Sequence, residues 1–209
     1  FLASMSHEIR TPLSSLLGLL SISTDAINSL TSTSTESMTE PMRKLSMCHQ
    51  AGMHLLNLVN DVLDFSKIAA GKLTLEMTPC SLGELCRSIV QMAATLQVAN
   101  EGVALELEVA DGIPEHELVD EQRLRQVLIN LLHNGLKFTY SGTVGLRVEL
   151  LSPPTGEKAH IRFAVFDTGV GICEADQPNI FTAFTQVARQ HTSVHGAGLG
   201  LSICKELVA

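Results

Sequence analysis

A histidine and a glutamate stand side by side near the start of the chain, at His7 and Glu8, and Thr11 follows four residues after the histidine. A neutral imidazole is a nucleophile, and a neighbouring carboxylate can fix its tautomer and accept the departing proton. Residues four apart share a face of a helix, so a helical segment would place Thr11 beside His7. Adjacent His and Glu residues are also common on solvated helix surfaces, so these residues alone leave both interpretations open.

Polar residues interrupt an apolar pattern of helical spacing between residues 130 and 138. Asn130 and Asn134 lie four apart on one helical face, and Lys137 follows three residues later. Two amide oxygens and a cation at this spacing could hold a hydrated Mg²⁺ and the phosphates that it carries. The dipeptide Asn134-Gly135 usually indicates a turn, so the alternative is a helix that ends just before it.

An aspartate and several glycines follow an apolar, strand-like segment. Asp167 precedes Gly169 and Gly171, so its carboxylate could face a ligand that approaches the backbone closely. A simple tight turn would show the same pattern, and an aspartic protease would need a second chain, because the sequence has one Asp-Thr-Gly motif. Further glycines precede a predicted helix that begins near Leu201, where free backbone amides suit a phosphate. These glycines are Gly196, Gly198 and Gly200.

The composition disfavours several classes of protein. The 209 residues include 22 Asp and Glu against 14 Lys and Arg, a net charge of −8, whereas a nucleic-acid partner calls for a basic surface. Five cysteines without a Cys-x-x-Cys pair disfavour a disulfide framework and a zinc site, and are typical of a reducing, cytoplasmic compartment. No apolar run approaches the roughly 20 residues that span a bilayer. We therefore expect no membrane contact by this segment, although segments outside it could anchor the full-length protein.

The elements that must position these residues fall into two groups, of which the first is helical. Residues 1–70 show apolar residues at helical spacing on both sides of a Ser/Thr-rich stretch at 31–37, which predicts two helices in an antiparallel hairpin. A weak heptad pattern runs from Leu45 to Val62, so pairing with a second copy into a four-helix bundle would cover the apolar surface. The alternative is a monomeric hairpin that packs on the rest of the chain.

The second group, residues 71–209, mixes strand and helix patterns, which predicts an α+β domain. Ser81 and Asp120 are predicted helix N-caps, because each precedes an apolar pattern of helical spacing. Apolar residues alternate along the chain, as in strands, at 73–77 and 103–109, and further strands are predicted near 143–151 and 160–167.

The order of these motifs closely resembles the catalytic core of sensor histidine kinases. The phosphoacceptor box is matched by FLASMSHEIRTPL, the asparagine box by NLLHNGLKFT, the first glycine box by DTGVGI, the phenylalanine box by IFTAFTQ and the second glycine box by GAGLGLSICKEL. The second helix and linker of hybrid kinases are similar to NDVLDFSKIAAGKL.

The resemblance implies an α+β architecture in two domains. Residues 1–70 would form a helical hairpin that dimerises as a four-helix bundle and carries the phosphoacceptor histidine. Residues 71–209 would form an α/β sandwich of the ATP-binding type shared by histidine kinases, gyrase and Hsp90. We expect this second domain to be incomplete at its C-terminus, with an unpaired sheet edge.

The resemblance also implies roles for the first motif and for the receiving partner. His7 would accept the γ-phosphoryl group of ATP, Glu8 would be the base beside it, and Thr11 would position a water for the reverse, phosphatase reaction. The phosphoryl group would then pass to an aspartate of a receiver domain, fused or separate.

For the nucleotide, the resemblance implies that Asn134 and Asn130 bind Mg²⁺ and that Lys137 meets phosphate. Asp167 would accept a hydrogen bond from the adenine amino group, so that GTP is rejected. The full set of expected nucleotide-binding residues is Asn130, Asn134, Lys137, Phe138, Asp167, Gly169, Gly171, Gly196, Gly198, Leu199 and Gly200. Residues 187–195 would form a mobile lid.

Two alternative functions and one departure from the family follow from the same residues. An ATPase of the gyrase, Hsp90 or mismatch-repair type would use a glutamate where this helix has Asn130. A catalytically degenerate scaffold would only dimerise or bind nucleotide. The departure is Gly135, which stands where alanine is usual, at a cost of up to about 1 kcal/mol in a helix.

Overall fold

The computed structural model describes residues 13–23, 39–96, 102–155, 158–186 and 198–209. The described residues fall into two compact units. The first unit comprises those of Phe1–Lys72 and Ala183–Gly200, and the second those of Leu73–Thr182 and Leu201–Ala209.

The described residues of the first unit include two long helices, α1 at 13–23 and α2 at Thr39–Ala69. They touch where small side chains allow close packing, because Cys48 Sγ donates to the Leu16 carbonyl oxygen at 3.8 Å and a Cβ on Gly52 would lie 3.2 Å from Leu16 Cδ1. Other members of the predicted heptad pattern, such as Leu45 and Val59, are exposed in the single chain. Helix α2 ends at Ala69, and Gly71, two residues later, has a φ of +62°, the left-handed conformation that follows many helices.

The second unit combines short strands, a three-stranded sheet and helices, so the predicted α+β class is confirmed. Its elements are β1 Thr78–Cys80, α3 Leu82–Leu96, β2 Val103–Val109, β3 Glu117–Val119, α4 Glu121–Phe138, β4 Gly142–Thr155, β5 Lys158–Asp167 and a 3₁₀ turn at Gln177–Asn179. Helix α5, Gly200–Val208, ends the chain. β1 pairs with β3, and the larger sheet has the order β2-β4-β5, parallel between β2 and β4 and antiparallel between β4 and β5.

The core of this unit lies between the larger sheet and helices α3 and α4. Val144, Leu146 and Val148 alternate along β4 and are buried in one cluster with residues of α3 and α4. The opposite face of the sheet carries charged pairs, among them Arg147 with Glu108 of the neighbouring strand. This division into an apolar and a polar face is typical of a sheet covered by helices on one side.

The predicted strand at 73–77 is wrong. Residues 72–77 form no strand, and Leu75 and Met77 are exposed. No strand of the described residues pairs with this segment, and the backbone amide of Glu76 instead donates to Asp120 Oδ2 at 2.9 Å. Pairing begins one residue later, at Thr78, opposite Val119.

The two predicted N-caps are confirmed. Ser81 Oγ accepts from the amide of Glu84 at 3.5 Å, and Asp120 Oδ1 accepts from the amide of Arg123 at 3.0 Å. Burial opposes ionisation of Asp120, but the backbone amides that donate to it hold the pKa of its carboxyl below the ordinary value. One carboxylate therefore both caps α4 and fixes the segment at Glu76.

Within the described parts of the chain, no helix is long and apolar enough to cross a membrane.

Candidate functional site

Helix α4 carries the polar residues of the second motif. It continues without a break through Asn134 and Gly135 to Phe138, so the alternative in which a turn ends it at residue 133 is wrong. Gly135 is buried, and a Cβ built there would lie 2.9 Å from Val144 Cγ1. The glycine thus brings α4 close to β4, a packing reason for the departure noted in the sequence.

The side chains of α4 that were predicted to meet a metal and phosphates lie along its last three turns. Asn130 is half-buried, and its Nδ2 donates to Cys204 Sγ of α5 at 3.8 Å, which leaves the amide oxygen as the atom it can offer to a cation. Asn134 and Lys137 are also half-buried, and Lys137 Nζ lies 5.3 Å from the centre of the Phe138 ring, within the range of a cation–π contact.

Asp167 is the last residue of β5 and is exposed, and residues 168–171 form the turn after β5. Asp167 Oδ1 accepts from the amide of Gly169 at 2.9 Å. Thr168 ties the turn to β4, because its Oγ1 accepts from the amide of Thr143 at 2.9 Å. The amide of Val170 donates to the Phe138 carbonyl oxygen at 3.2 Å, which ties the turn to the end of α4. The structure therefore brings the predicted Asp167 and the end of α4 together.

Gly169 is required by contacts on three sides. A Cβ there would meet the Phe138 carbonyl oxygen, and would lie 2.8 Å from Thr139 Oγ1 and 2.9 Å from Asp167 Oδ1. Thr139 is fully buried, and its Oγ1 has no hydrogen-bond partner among the described residues. Thr139 is the last residue of the asparagine-box match, but no local pattern in the sequence predicts its burial or a role for its hydroxyl. Gly171, two residues on, has a φ of +65°.

The described glycines of the second glycine segment, Gly198 and Gly200, belong to the first unit. Gly198 has a φ of +69°, its carbonyl oxygen accepts from the amide of Phe184 at 2.8 Å, and a Cβ there would lie 3.0 Å from Thr185 O. The Phe184 ring contacts the ring of Phe65 edge to face, with centroids 5.7 Å apart. Leu199 is buried, and Gly200 is the first residue of α5.

Several predicted site residues lie outside the described residues. They are His7, Glu8, Thr11 and Gly196, together with the predicted lid at 187–195. Within the described ranges, no group of three or more His, Cys, Asp or Glu side chains could hold a metal ion. The side-chain amide oxygens of Asn130 and Asn134 are of the ligand type that Mg²⁺ accepts.

Two family models match the chain over most of its length. The one described as "His Kinase A (phospho-acceptor) domain" matches residues 1–71, and the one described as "Histidine kinase-, DNA gyrase B-, and HSP90-like ATPase" matches residues 119–209. The chain belongs to the histidine kinase family. The predicted resemblance is therefore confirmed, and the second match gives this histidine kinase an ATP-binding domain that includes α4 and the turn after β5.

Individual histidine kinases match the chain along its whole length. Histidine kinase 5 of Arabidopsis thaliana is 34% identical over 228 residues, which cover 99% of this chain and 24% of that protein. Signal transduction histidine-protein kinase BarA of Escherichia coli (strain K12) is 37% identical over 211 residues, which cover 100% of this chain and 22% of that protein. Full-length ShkA, solved in complex with AMPPNP, shares 33% identity and a TM-score of 0.64, over 99% of this chain and 40% of that one. This histidine kinase chain spans about a quarter of the length of the curated relatives it matches.

Proposed function

We propose that this chain is the ATP-dependent core of a protein-histidine kinase, which phosphorylates its own His7 and passes the phosphoryl group to an aspartate of a receiver domain. The observation that carries the proposal is the turn after β5. It holds the Asp167 carboxylate beside the end of the helix that bears Asn134 and Lys137, in a chain whose first 71 residues match a phosphoacceptor domain.

The adenine base is recognised by Asp167. Its Oδ1 already accepts from Gly169, and the carboxylate is exposed, so Oδ2 accepts from the exocyclic amino group of the base. A hydrogen bond to a charged group contributes roughly 1.5–3 kcal/mol. Guanine presents a carbonyl oxygen at the same position, which would face the carboxylate without a proton between them, so GTP binds more weakly.

The phosphates are held from α4 and from the glycine segments. Lys137 neutralises phosphate charge, and Gly171, Gly196, Gly198 and Gly200, with Leu199 between the last two, let the backbone surround the nucleotide. The amide oxygens of Asn134 and Asn130 fit Mg²⁺, which prefers oxygen ligands and usually keeps several waters beside the phosphates. When bound, this ion supplies neutralisation of charge on the transferring group.

The transfer itself asks mainly for positioning. A ring nitrogen of neutral His7 attacks the γ-phosphorus of ATP while the bond from that phosphorus to the bridging oxygen breaks, and ADP leaves. Glu8 takes the proton that the imidazole loses. Thr11 orients the water that attacks the phosphoryl group on the partner protein in the reverse, phosphatase reaction.

The two domains divide this work. Residues 1–70 dimerise and carry His7, and residues 71–209 bind ATP. Homodimerisation is supported by apolar side chains of α1 and α2 that are exposed in the single chain, such as Leu17 at 58% and Leu63 at 53%. The receiver domain is fused to the protein or separate. The five cysteines form no disulfide bond, which, with the use of ATP, favours the cytoplasm.

Labelling with γ-³²P-ATP and Mg²⁺ tests the proposal. The protein should acquire phosphate that is lost in acid and kept in alkali, and His7→Ala should abolish the label while ATP binding persists. His116→Ala and His160→Ala are matched controls, because both histidines are exposed in the ATP-binding domain, and they should keep the label.

Three results would contradict the proposal. Undiminished label in His7→Ala would remove the assignment of the acceptor. Steady hydrolysis of ATP without labelled protein would select the ATPase alternative. ATP binding with neither label nor hydrolysis would select the scaffold.

A further inference from the structure

We infer that the Thr139 hydroxyl belongs to the base-binding end of the nucleotide site and obtains its hydrogen bond when ATP binds. The inference deepens the proposed function and rests on it. Among the described residues, only two buried side-chain oxygen or nitrogen atoms lack a hydrogen-bond partner: Thr139 Oγ1 and Ser23 Oγ. Ser23 lies in the first unit, whereas Thr139 lies in the second, between Phe138 and the turn after β5.

Position makes the Thr139 hydroxyl a candidate for a ligand. Its Oγ1, the Phe138 carbonyl oxygen and Asp167 Oδ1 all border the point where a Cβ of Gly169 would lie. The Thr139 hydroxyl and the carboxylate that recognises adenine are therefore both within contact distance of the same point, at 2.8 Å and 2.9 Å. The other two oxygens accept from the amides of Val170 and Gly169, and neither pairs with Thr139.

Thr168 of the same turn provides a comparison, because the hydrogen bonds of its hydroxyl are all made within the protein. Thr168 Oγ1 accepts from the amide of Thr143 and donates to the carbonyl oxygen of the same residue. Thr139, by contrast, is fully buried with an unpaired hydroxyl, which costs more stability than an ordinary hydrogen bond contributes. If only packing mattered, valine would fill the same space without that cost.

Because the Thr139 hydroxyl is buried, a hydrogen-bond partner from the ligand can reach it only if the covering residues move. Thr139 is enclosed, whereas Asp167, Thr168 and Val170 of the turn are exposed. The partner, a ring nitrogen of the base or a water that the base traps, reaches the hydroxyl through a small shift of this turn. Base binding and turn position are then coupled, and the Asp167 carboxylate moves with the same segment.

Calorimetric titration of the full chain with ATP and with inorganic tripolyphosphate tests the inference. Thr139→Val should weaken ATP binding about 2- to 12-fold, the range that one net hydrogen bond corresponds to, and should leave tripolyphosphate binding unchanged because that probe has no base. Thr139→Ser, which keeps the hydroxyl, should bind ATP within about twofold of the original protein. Thr78→Val makes the same chemical change at an exposed strand position and should alter neither titration.

Hydrogen exchange supplies a readout that packing alone would not move. ATP should slow exchange of the amides of Gly169 and Val170 in the original protein and in Thr139→Ser, and should slow it less in Thr139→Val. Unchanged ATP affinity in Thr139→Val would overturn the inference, and so would an equal loss of ATP and tripolyphosphate binding, which would mark a damaged fold. Failure of the original protein to bind ATP would instead overturn the proposed function, so the two failures are distinguishable.

Discussion

Replacing Gly135 by alanine sets two physical effects against each other. Helix propensity alone predicts that Gly135→Ala stabilises the protein by about 1 kcal/mol, because glycine loses more backbone entropy than alanine in the middle of a helix. The structure predicts otherwise. The new Cβ would lie 2.9 Å from Val144 Cγ1, closer than side chains tolerate, and 3.6 Å from Asp167 Cβ.

The size of the opposing effect follows from burial. Val144 is fully buried in the core, so it cannot turn away without disturbing its neighbours. Overpacking of this kind costs about 1–3 kcal/mol. Taken with the gain in propensity, Gly135→Ala should be neutral or should destabilise the unit by up to about 2 kcal/mol. In a Val144→Ala background the clash disappears, and the same substitution should stabilise by about 1 kcal/mol.

Native-state hydrogen exchange of the α4 amides measures the change in the free energy of unfolding, because it reports the stability of the second unit separately from that of the first. A double-mutant cycle over Gly135→Ala and Val144→Ala should give a coupling free energy of about 1–3 kcal/mol. Gly83→Ala is a matched control, since its Cβ would meet nothing nearer than the Arg87 side chain at 3.6 Å and its effect should not depend on Val144. Stabilisation of about 1 kcal/mol by Gly135→Ala in both backgrounds would refute the steric reasoning.

Further predictions concern charge and backbone space. Asp120→Ala should lower the free energy of unfolding by about 1–3 kcal/mol at neutral pH, because one carboxylate caps α4 and accepts from Glu76. Since the pKa of Asp120 is lowered, urea denaturation should show this stabilisation above pH 3.8 and its loss as the pH falls further. Asp61→Asn should raise the Tm at about pH 7.5 and not at about pH 3.5. Burial and the Asp64 carboxylate raise the pKa of Asp61 to about 6, so above that pH the folded protein carries an ionised carboxylate in an unfavourable environment, and asparagine removes that charge. An equal change at both pH values would contradict this. Gly169→Ala should abolish measurable ATP binding in calorimetry, because a Cβ would meet a backbone carbonyl oxygen, and an unchanged Kd would show that the turn adapts.

Local chemistry explains what could be predicted from the sequence about the fold. The alternation at 103–109 predicted β2, which spans Val103–Val109, and the caps at Ser81 and Asp120 start α3 and α4. These signals depend on residues within a few positions of one another, so they can be recognised without knowledge of the rest of the chain. The same local pattern gave a wrong prediction at 73–77, because a strand also needs a partner and none of the described strands lies opposite this segment.

The site needed information that no local pattern contains. The sequence singled out Asp167 and the polar residues of α4, but their proximity depends on hydrogen bonds from the turn to Phe138 and to Thr143. The reason for glycine at position 135 lies in β4, nine residues along the chain and across the helix–sheet interface. The burial of Thr139 likewise follows from tertiary packing, which is why sequence analysis assigned no role to it.

Three residues that break local rules gather where α4 ends against the turn after β5. Gly135 is a glycine inside a helix, Thr139 has a buried hydroxyl without a partner in the described parts of the chain, and Gly169 has no space for a Cβ. Sequences that otherwise follow local rules tend to break them where a site is built. If these residues were only defects of packing, substitutions that repair them would stabilise the unit and leave ATP binding unchanged. Asp167 borders the positions that a Cβ would take at Gly135 and at Gly169, and the Thr139 hydroxyl lies between α4 and the turn. We therefore expect a substitution at any of these three residues to alter the affinity for ATP as well as the free energy of unfolding.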